Sequence, residues 1–286
     1  MTIREALASG TLALKAAARH GVETPGLDAS LLLAKVLNIS RSSLAAAPDP
    51  LADESLATFN RLIKRRLDGE CVAYILGKKE FYGLEFLVNP AVLVPRPETE
   101  TLVETTLKQL TMSKRPLRLL DLCTGSGAVA ITLKHEMPEL EVWATDICAK
   151  ALETAKANAA RLLPPESVHF FHGNLFEAVS SLFPIIVSNP PYIPSAEIAG
   201  LSPEVRAEPA IALDGGSNGL DIIRKIIAIV PEFLCPGGML LLEADPRQMT
   251  GIAALFEENG FADIQTYRDL SGRERVIVGR YNPPLI

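Results

Sequence analysis

The sequence predicts an α/β fold: a mostly parallel sheet with helices on both faces, preceded by a small helical domain and a β-hairpin. Three observations predict it. From residue 117 onward, short apolar runs rich in β-branched and aromatic residues alternate with longer segments of helical period, and parallel strands require such crossovers. Before about residue 75 the spacing of apolar residues is helical throughout. Near residue 80 the period changes to that of strands. Domain bounds follow: a helical domain over residues 1–75, a hairpin linker over 76–96, and the α/β domain over 97–286.

The elements are justified in chain order. "TIREALASGTLALKAAARHG" is rich in Ala and Leu and stops at Gly21. "LDASLLLAKVLN" has apolar residues at helical spacing after an N-cap at Asp28. "DESLATFNRLIKRRLDG" sets Leu56, Phe59, Leu62, Ile63 and Leu67 on one face and stops at Gly69. Arg61, Lys64, Arg65 and Arg66 are assigned to the opposite face, as a solvated surface or a docking surface for an acidic partner. "FYGLEFLV" and "AVLVP" are predicted strands, with Asn89-Pro90 as the turn between them. In "RPETETLVETTLKQL", Pro97 suits a first helical position and the acids after it suit a helix N-terminus. Then "LRLLDL", "LEVWATDI", "SVHFFHG", "PIIVSN" and "GGMLLLEA" are strands, separated by helical segments such as "AVAITLKHEM" and "GLDIIRKIIAIVPEFL". "FADIQTYRD" and "RERVIVGRY" close the chain as strands.

Composition narrows the function. Of 286 residues, 48% are hydrophobic and 22% charged, enough apolar mass for a sizeable core. The net charge of −6 argues against a protein that holds many phosphates without sequence preference. Four cysteines, none in a C-x-x-C, predict reduced thiols and a cytoplasmic protein. His169 and His172 have no companions at metal-ligand spacing, so no metal is expected. No apolar run approaches the roughly 18 residues of a membrane span. Arg4 and Glu5 interrupt the region a signal peptide would keep apolar. No long coiled-coil pattern is present, and a monomer is expected.

Two motifs carry chemistry. The first strand of the α/β part runs into "DLCTGSGAVA", where Gly125, Gly127 and Ala130 fit G-x-G-x-x-G/A before a helix. Such glycines let backbone approach a ligand, and the helix N-terminus offers unpaired N–H groups. Asp146 ends the next strand, about 20 residues on, where a carboxylate can accept both hydroxyls of a ribose. These features predict a nucleoside cofactor without separating a nicotinamide from S-adenosylmethionine. The separation comes from "NPPY", residues 189–192, after another strand. Two prolines stiffen the chain. The Asn189 side-chain carbonyl and the Pro190 carbonyl can each accept a proton of one –NH2 group. Tyr192 can stack on a planar group. Together they form a clamp for an amide or an exocyclic base amine.

"NPPY" behind "DLCTGSG" resembles the S-adenosylmethionine-dependent amino-methyltransferases. "FYGLEFLVNPAVLVPRPETE", "NPPYIP", "EVRAEPAIALDGGSNGLDIIRKII" and "DLSGRERVIVGR" resemble, more specifically, the peptide-chain-release-factor glutamine methyltransferases of the HemK type. The resemblance covers nearly the whole chain. It implies a Rossmann-like class I methyltransferase domain with a seven-stranded sheet, and a helical N-terminal domain that contacts the release factor. It implies methylation of the side-chain nitrogen of the glutamine in a Gly-Gly-Gln loop, with S-adenosyl-L-homocysteine as product. Cys123, Thr124, Gly125, Ser126, Gly127, Asp146, Asn174, Leu175 and Asn189 would hold the cofactor. Asn189, Pro190, Pro191 and Tyr192 would hold the glutamine, with Asn189, Pro190 and Tyr192 as catalytic residues. Arg206 and Glu208, in the loop after the clamp, would cover the substrate. Three positions depart from the family pattern: Cys123 and Asp245 stand where it has Gly, and Asn174 where it often has an acid.

Other readings share parts of this evidence. A nucleic-acid methyltransferase would use the same clamp on a flipped adenine or guanine, against the acidic charge. A nicotinamide oxidoreductase would use the glycine loop but leave "NPPY" without a role. A non-catalytic module would use the N-terminal helices alone.

Overall fold

The computed structural model of the protein describes residues 1–16, 22–47, 49–112 and 118–282. The chain divides into two compact units. One comprises Met1–Lys78 with Ala199–Glu208, the other Lys79–Ile198 with Pro209–Ile286.

The first unit is helical: α1 (Ile3–Ala16), α2 (Pro25–Leu37), α3 (Asp53–Leu67) and the short α4 (Val72–Leu76). The predicted stop of α1 at Gly21 lies outside the described residues. Ile3, Leu14, Leu32, Leu33, Phe59 and Ile63 are among its buried core residues. Helix α2 begins at Pro25, after Thr24, so Asp28 is not its N-cap. Asp28 sits one turn in, buried, and accepts from the Thr24 hydroxyl at 2.9 Å.

Arg66 does not belong to the solvated face. On α3 the buried positions are Phe59, Leu62, Ile63 and Arg66, the i, i+3, i+4, i+7 stripe of a helix. Arg66 therefore points into the unit. Its Nε donates to Asp28 Oδ2 at 2.8 Å, its Nη1 to the Glu70 carbonyl at 3.3 Å, and its Nη2 to Glu204. Burial disfavours its charge, but these two carboxylates outweigh that and hold its pKa above the ordinary arginine value. The neighbouring Lys64 and Arg65 are neutralised locally by Asp68 and Glu70.

The predicted hairpin forms one turn earlier than expected. β1 (Lys78–Phe81) and β2 (Leu84–Leu87) flank Tyr82-Gly83. Both turn residues have positive φ, 51° and 75°, the requirement of a two-residue type I′ turn. "AVLVP" is not a strand. Asn89 closes a turn over it, accepting from Ala91 N at 2.9 Å through its side chain and from Val92 N at 3.1 Å through its carbonyl.

The second unit continues with α5 (Glu100–Met112), β3 (Arg118–Leu122), α6 (Ala128–Glu136), β4 (Glu141–Asp146), α7 (Ala149–Leu162), β5 (Val168–His172) and β6 (Phe183–Ser188). Three single-turn helices follow: α8 (Ser195–Ile198), α9 (Pro203–Arg206), which falls in the helical unit, and α10 (Ala210–Leu213). Then come α11 (Asp221–Ile229), β7 (Leu234–Glu243), α12 (Met249–Glu258), β8 (Phe261–Arg268) and β9 (Glu274–Tyr281). The seven strands lie in the order β5-β4-β3-β6-β7-β9-β8. The five from β5 to β7 are parallel, and β9 runs antiparallel to both β7 and β8. This is the predicted fold, a class I methyltransferase sheet.

Strand period divides the core. Leu119, Ile185, Val187 and Leu241 point to the face covered by α5 and α6. Leu120, Ile186, Leu240 and Leu242 point to the face covered by α11 and α12. All six residues of β6 are buried, as expected of a central strand covered on both faces. The chain winds outward from β3 to β5, then crosses back to β6 beside β3. Reversal of strand order opens a crevice at the carboxyl ends of β3 and β6. Leu122 and Ser188 are register partners there, and Ser188 Oγ donates to the Leu122 carbonyl at 2.8 Å. Both sequence motifs emerge from this point.

Candidate active site

The glycine loop is braced from below by Asp121, which the sequence reading did not single out. Its carboxylate accepts from Thr124 Oγ1 at 2.6 Å. Burial nevertheless pushes its pKa up to about 7, with nearby Asp146 adding to the shift. Thr124 N donates to the Thr145 carbonyl at 3.0 Å, binding the loop to β4. Gly127, at φ 81°, has no room for a side chain: a Cβ would stand 2.7 Å from the Ile131 side chain. Gly125, at φ 56°, faces open space. Cys123 occupies the same left-handed region at φ 60°, where a glycine would carry no Cβ penalty. Burial, first of all, pushes its thiol up to about 12.

Asp146 ends β4 with its oxygens aimed at backbone donors. Oδ2 accepts from Gly125 N at 2.8 Å and Oδ1 from Cys148 N at 2.8 Å. Each oxygen retains a lone pair. Burial raises its pKa, against the lowering effect of those two bonds. Asn174 follows β5, and its N–H donates to Glu177 Oε2 at 3.1 Å. The Leu175 carbonyl accepts from Thr145 Oγ1 at 3.1 Å.

The clamp segment is fixed by two neighbours. Asn189 Nδ2 donates to Thr99 Oγ1 at 3.1 Å. Gln248 Nε2 donates to the Tyr192 carbonyl at 2.9 Å. The "DGGSNG" stretch packs against it closely enough that a Cβ on Gly219, at φ 75°, would fall 2.1 Å from the Tyr192 carbonyl oxygen. Asp245 opens a capping box in which its side chain accepts from Arg247 N at 2.9 Å and Gln248 Oε1 accepts from Asp245 N at 3.2 Å. At φ −67° it needs no glycine.

One cavity of about 630 Å³ unites most of these residues, within the range of small-ligand sites. Cys123, Thr124, Gly125 and Ser126 border it on the glycine-loop side, and Asp146, Asn174 and Leu175 border it beyond β4 and β5. Asn189 and Pro191 border it from the clamp. Gly127 and Pro190 are not part of the wall; both are buried behind it. Tyr192 is not in the wall either: its hydroxyl lies 3.4 Å from Glu243 Oε1, and burial, foremost, raises its pKa. Arg206 is exposed and Glu208 buried, both in the segment grouped with the helical unit. Thr99, Asp121 and the Ala91–Leu93 stretch also line it. A lining role for "AVL" explains an apolar run that pairs with no strand. Among the described residues no cluster of His, Cys, Asp and Glu could hold a metal, and no helix is long and apolar enough to cross a membrane.

The residues fit a nucleoside cofactor. Gly125 leaves open the space that a Cβ would fill, and the Asp146 carboxylate borders the same cavity with acceptor capacity to spare.

Glu243, at the end of β7, is also fully buried, and burial drives its pKa up to about 7. The folded protein therefore binds this proton more tightly than the unfolded chain, so the associated stability is present in acid and is lost as pH rises through about 7. Glu243→Gln removes that titration. Its melting temperature relative to the parent is expected to rise from about pH 5 to about pH 8, and a difference constant across that range would refute the assignment.

Residues 5–77 match the family model described as PrmC N-terminal domain, and residues 98–200 the one described as Methyltransferase small domain. The release factor glutamine methyltransferase of Geobacter sulfurreducens is 41% identical over 266 residues, covering 92% of each chain. That of Neisseria gonorrhoeae is 44% identical over 261 residues, covering 90% of this chain and 94% of the relative. A methyltransferase from Pyrococcus furiosus superposes with a TM-score of 0.52 at 19% identity, over 78% of this chain and 98% of that one, a likeness of fold.

Proposed function

The chain belongs to the release factor glutamine methyltransferase family, and from that premise we propose that it methylates the side-chain amide nitrogen of the Gly-Gly-Gln glutamine in peptide chain release factors. On this reading it acts in the cytoplasm as a monomer, and the helical unit docks the release factor. The observation that carries the proposal is that Asn189 borders the same cavity as the glycine loop and Asp146, with its Nδ2 already committed to Thr99.

Gly125, Ser126, Asp146, Asn174 and Leu175 would hold S-adenosylmethionine. When bound, it supplies an electrophilic sulfonium methyl group. The chain's own residues do the rest by alignment. An amide nitrogen is a weak nucleophile because its lone pair is delocalised into the carbonyl. Asn189 Oδ1 accepts one of its protons and holds the nitrogen in place, and a fixed acceptor stabilises the positive charge that develops there. Orientation of this kind recovers on the order of 7–11 kcal/mol of barrier. No strong base is required, since the nitrogen becomes acidic once substituted.

The test uses methyl-labelled S-adenosylmethionine with a bacterial release factor, and beside it the same factor with its Gly-Gly-Gln glutamine changed to alanine. Label on the first alone is expected. Label on nucleic acid and on neither factor would overturn the substrate. Asp146→Ala is expected to weaken cofactor binding about 30-fold, the loss of charge-assisted hydrogen bonds worth about 2 kcal/mol. Calorimetric titration checks this, and an affinity unchanged within twofold would remove Asp146 from the site.

A further inference from the structure

The glycine loop depends on support from outside itself. Of residues 123–127, Cys123, Gly125 and Gly127 have positive φ, at 60°, 56° and 81°, and glycine gives up more freedom than any other residue when it is fixed. Gly127 is also the N-cap of α6 and has no side chain with which to cap it. Asp121 and Asp146 hold Thr124 and Gly125. The next step, Ser126–Gly127, is held from α7. A Cβ on Gly127 would stand 3.2 Å from Ala155 Cβ, so loop and helix lie in close contact there. One turn further along α7 the Asn158 side chain is fully buried.

Asn158 Nδ2 donates to the Ser126 carbonyl at 2.9 Å and to the Leu87 carbonyl at 3.0 Å, and Oδ1 accepts from Leu87 N at 2.6 Å. An amide –NH2 has two protons, and both are used. The same count fixes its orientation, since a flipped amide would set Oδ1 against two carbonyl oxygens. The Gly127 N–H donates to the Thr124 carbonyl at 2.9 Å. Both polar groups of the Ser126–Gly127 peptide are therefore committed, and that plane cannot rotate without breaking a bond. At the other end, Leu87 closes β2. Asn89 ties the same segment to α7 one turn earlier, where its Nδ2 donates to Thr154 Oγ1 at 2.9 Å. The chain then runs into the Ala91–Leu93 stretch of the cavity wall.

We propose that Asn158 is a positioning residue for the cofactor. It holds the Ser126–Gly127 peptide in the shape the ligand meets, and through Leu87 it keeps that loop in register with the linker. The proposal rests on the reading of the cavity as an S-adenosylmethionine site. Gly125 and Ser126 are in its wall. Without Asn158 the Ser126 carbonyl loses its bond and the loop visits other shapes. Apparent affinity then falls by the fraction of molecules in the competent one. The clamp is held separately, through Asn189 and Thr99, so transfer in the filled cavity keeps its rate. The signature is a loss of cofactor affinity without a loss of kcat.

The experiment uses the full-length protein, with S-adenosyl-L-homocysteine as the calorimetric probe. Asn158→Leu, close in volume, is expected to weaken binding about 30-fold, as for a loop in the competent shape about one-thirtieth of the time, with kcat at saturating cofactor within about threefold of the parent. Thr154→Val breaks the Asn89 tie alone. It is expected to lower the urea midpoint, because it leaves a donor unpaired, yet to keep affinity within about twofold, because the competent fraction is unchanged. A merely structural role for Asn158 would move stability, affinity and kcat together. The proposal is overturned if Asn158→Leu binds the probe like the parent, if its kcat falls as far as its affinity, or if Thr154→Val weakens binding as much. Hydrogen exchange on the parent needs no variant. Saturation with the probe is expected to slow exchange of both the Gly127 and the Leu87 N–H about tenfold, since local opening at both sites passes through one amide. Protection of Gly127 without Leu87 would overturn the link. A parent that does not bind the probe at all overturns the reading of the cavity itself.

Discussion

Asn189→Ala lowers the methyl-transfer rate by about three orders of magnitude, the upper range for removing one preorganised hydrogen-bonding group from a reacting centre. The effect is large because the site offers few alternatives. Asn189 stands at the carboxyl end of a strand whose six residues are all buried, so backbone movement cannot bring another acceptor forward. Pro190, which follows it, has no N–H and fixes the chain direction. Pro190 itself does not border the cavity, so it offers no substitute acceptor. Cofactor affinity is expected to stay within about threefold of the parent, because on the proposed reading charge-assisted bonds to Asp146 would supply most of the polar binding. Single-turnover rates with labelled cofactor, together with calorimetric titration, separate the two effects. Unchanged turnover would defeat the clamp, and a parallel collapse of cofactor binding would make Asn189 a binding residue instead.

Arg66→Ala costs about 3–5 kcal/mol of unfolding free energy, the range for breaking a buried ion pair from one side. The guanidinium is 2% exposed and the Asp28 side chain 7%, while Glu204, at 26%, reaches water. Removing the arginine leaves Asp28 with the Thr24 hydroxyl alone among the described side chains. It also frees α9 from α3, since Glu204 belongs to α9. The contrast is Arg66→Met combined with Asp28→Leu. Replacing a buried pair with apolar groups of similar volume is often neutral, so this double variant should recover most of the loss. Urea unfolding of the three proteins checks both. A single variant within about 1 kcal/mol of the parent, the surface-pair range, would show that Arg66 is effectively hydrated.

The departures at Cys123 and Asp245 illustrate how far a residue pattern reaches. Both stand where a glycine was expected, and only backbone angles distinguish them. Cys123 is held in the left-handed region and Asp245 is not. The basic face on α3 was misjudged for a different reason. Helical spacing from Phe59 through Leu62 and Ile63 carries the buried stripe to residue 66; the charge of arginine masked a position that the period assigns to the interior. "AVLVP" misled in the opposite sense, its apolar residues serving a cavity wall rather than a sheet.

Local pattern determined the α/β architecture, the strands that carry the two loops, and the residue types proposed to meet a nucleoside and an –NH2 group. Those properties follow from period and turn chemistry within a few residues, which any stretch of chain displays by itself. The tertiary structure alone decided how the reacting groups are held. Asn189 and Thr99 are 90 residues apart, Tyr192 and Glu243 are 51, and Arg66 and Glu204 are 138. Asp121, Glu243 and Thr99 carry no motif of their own kind, and they matter because packing strips water from them and leaves each with one or two partners. A hydrogen bond between side chains depends on strand register and helix docking, and no spacing along the chain encodes either.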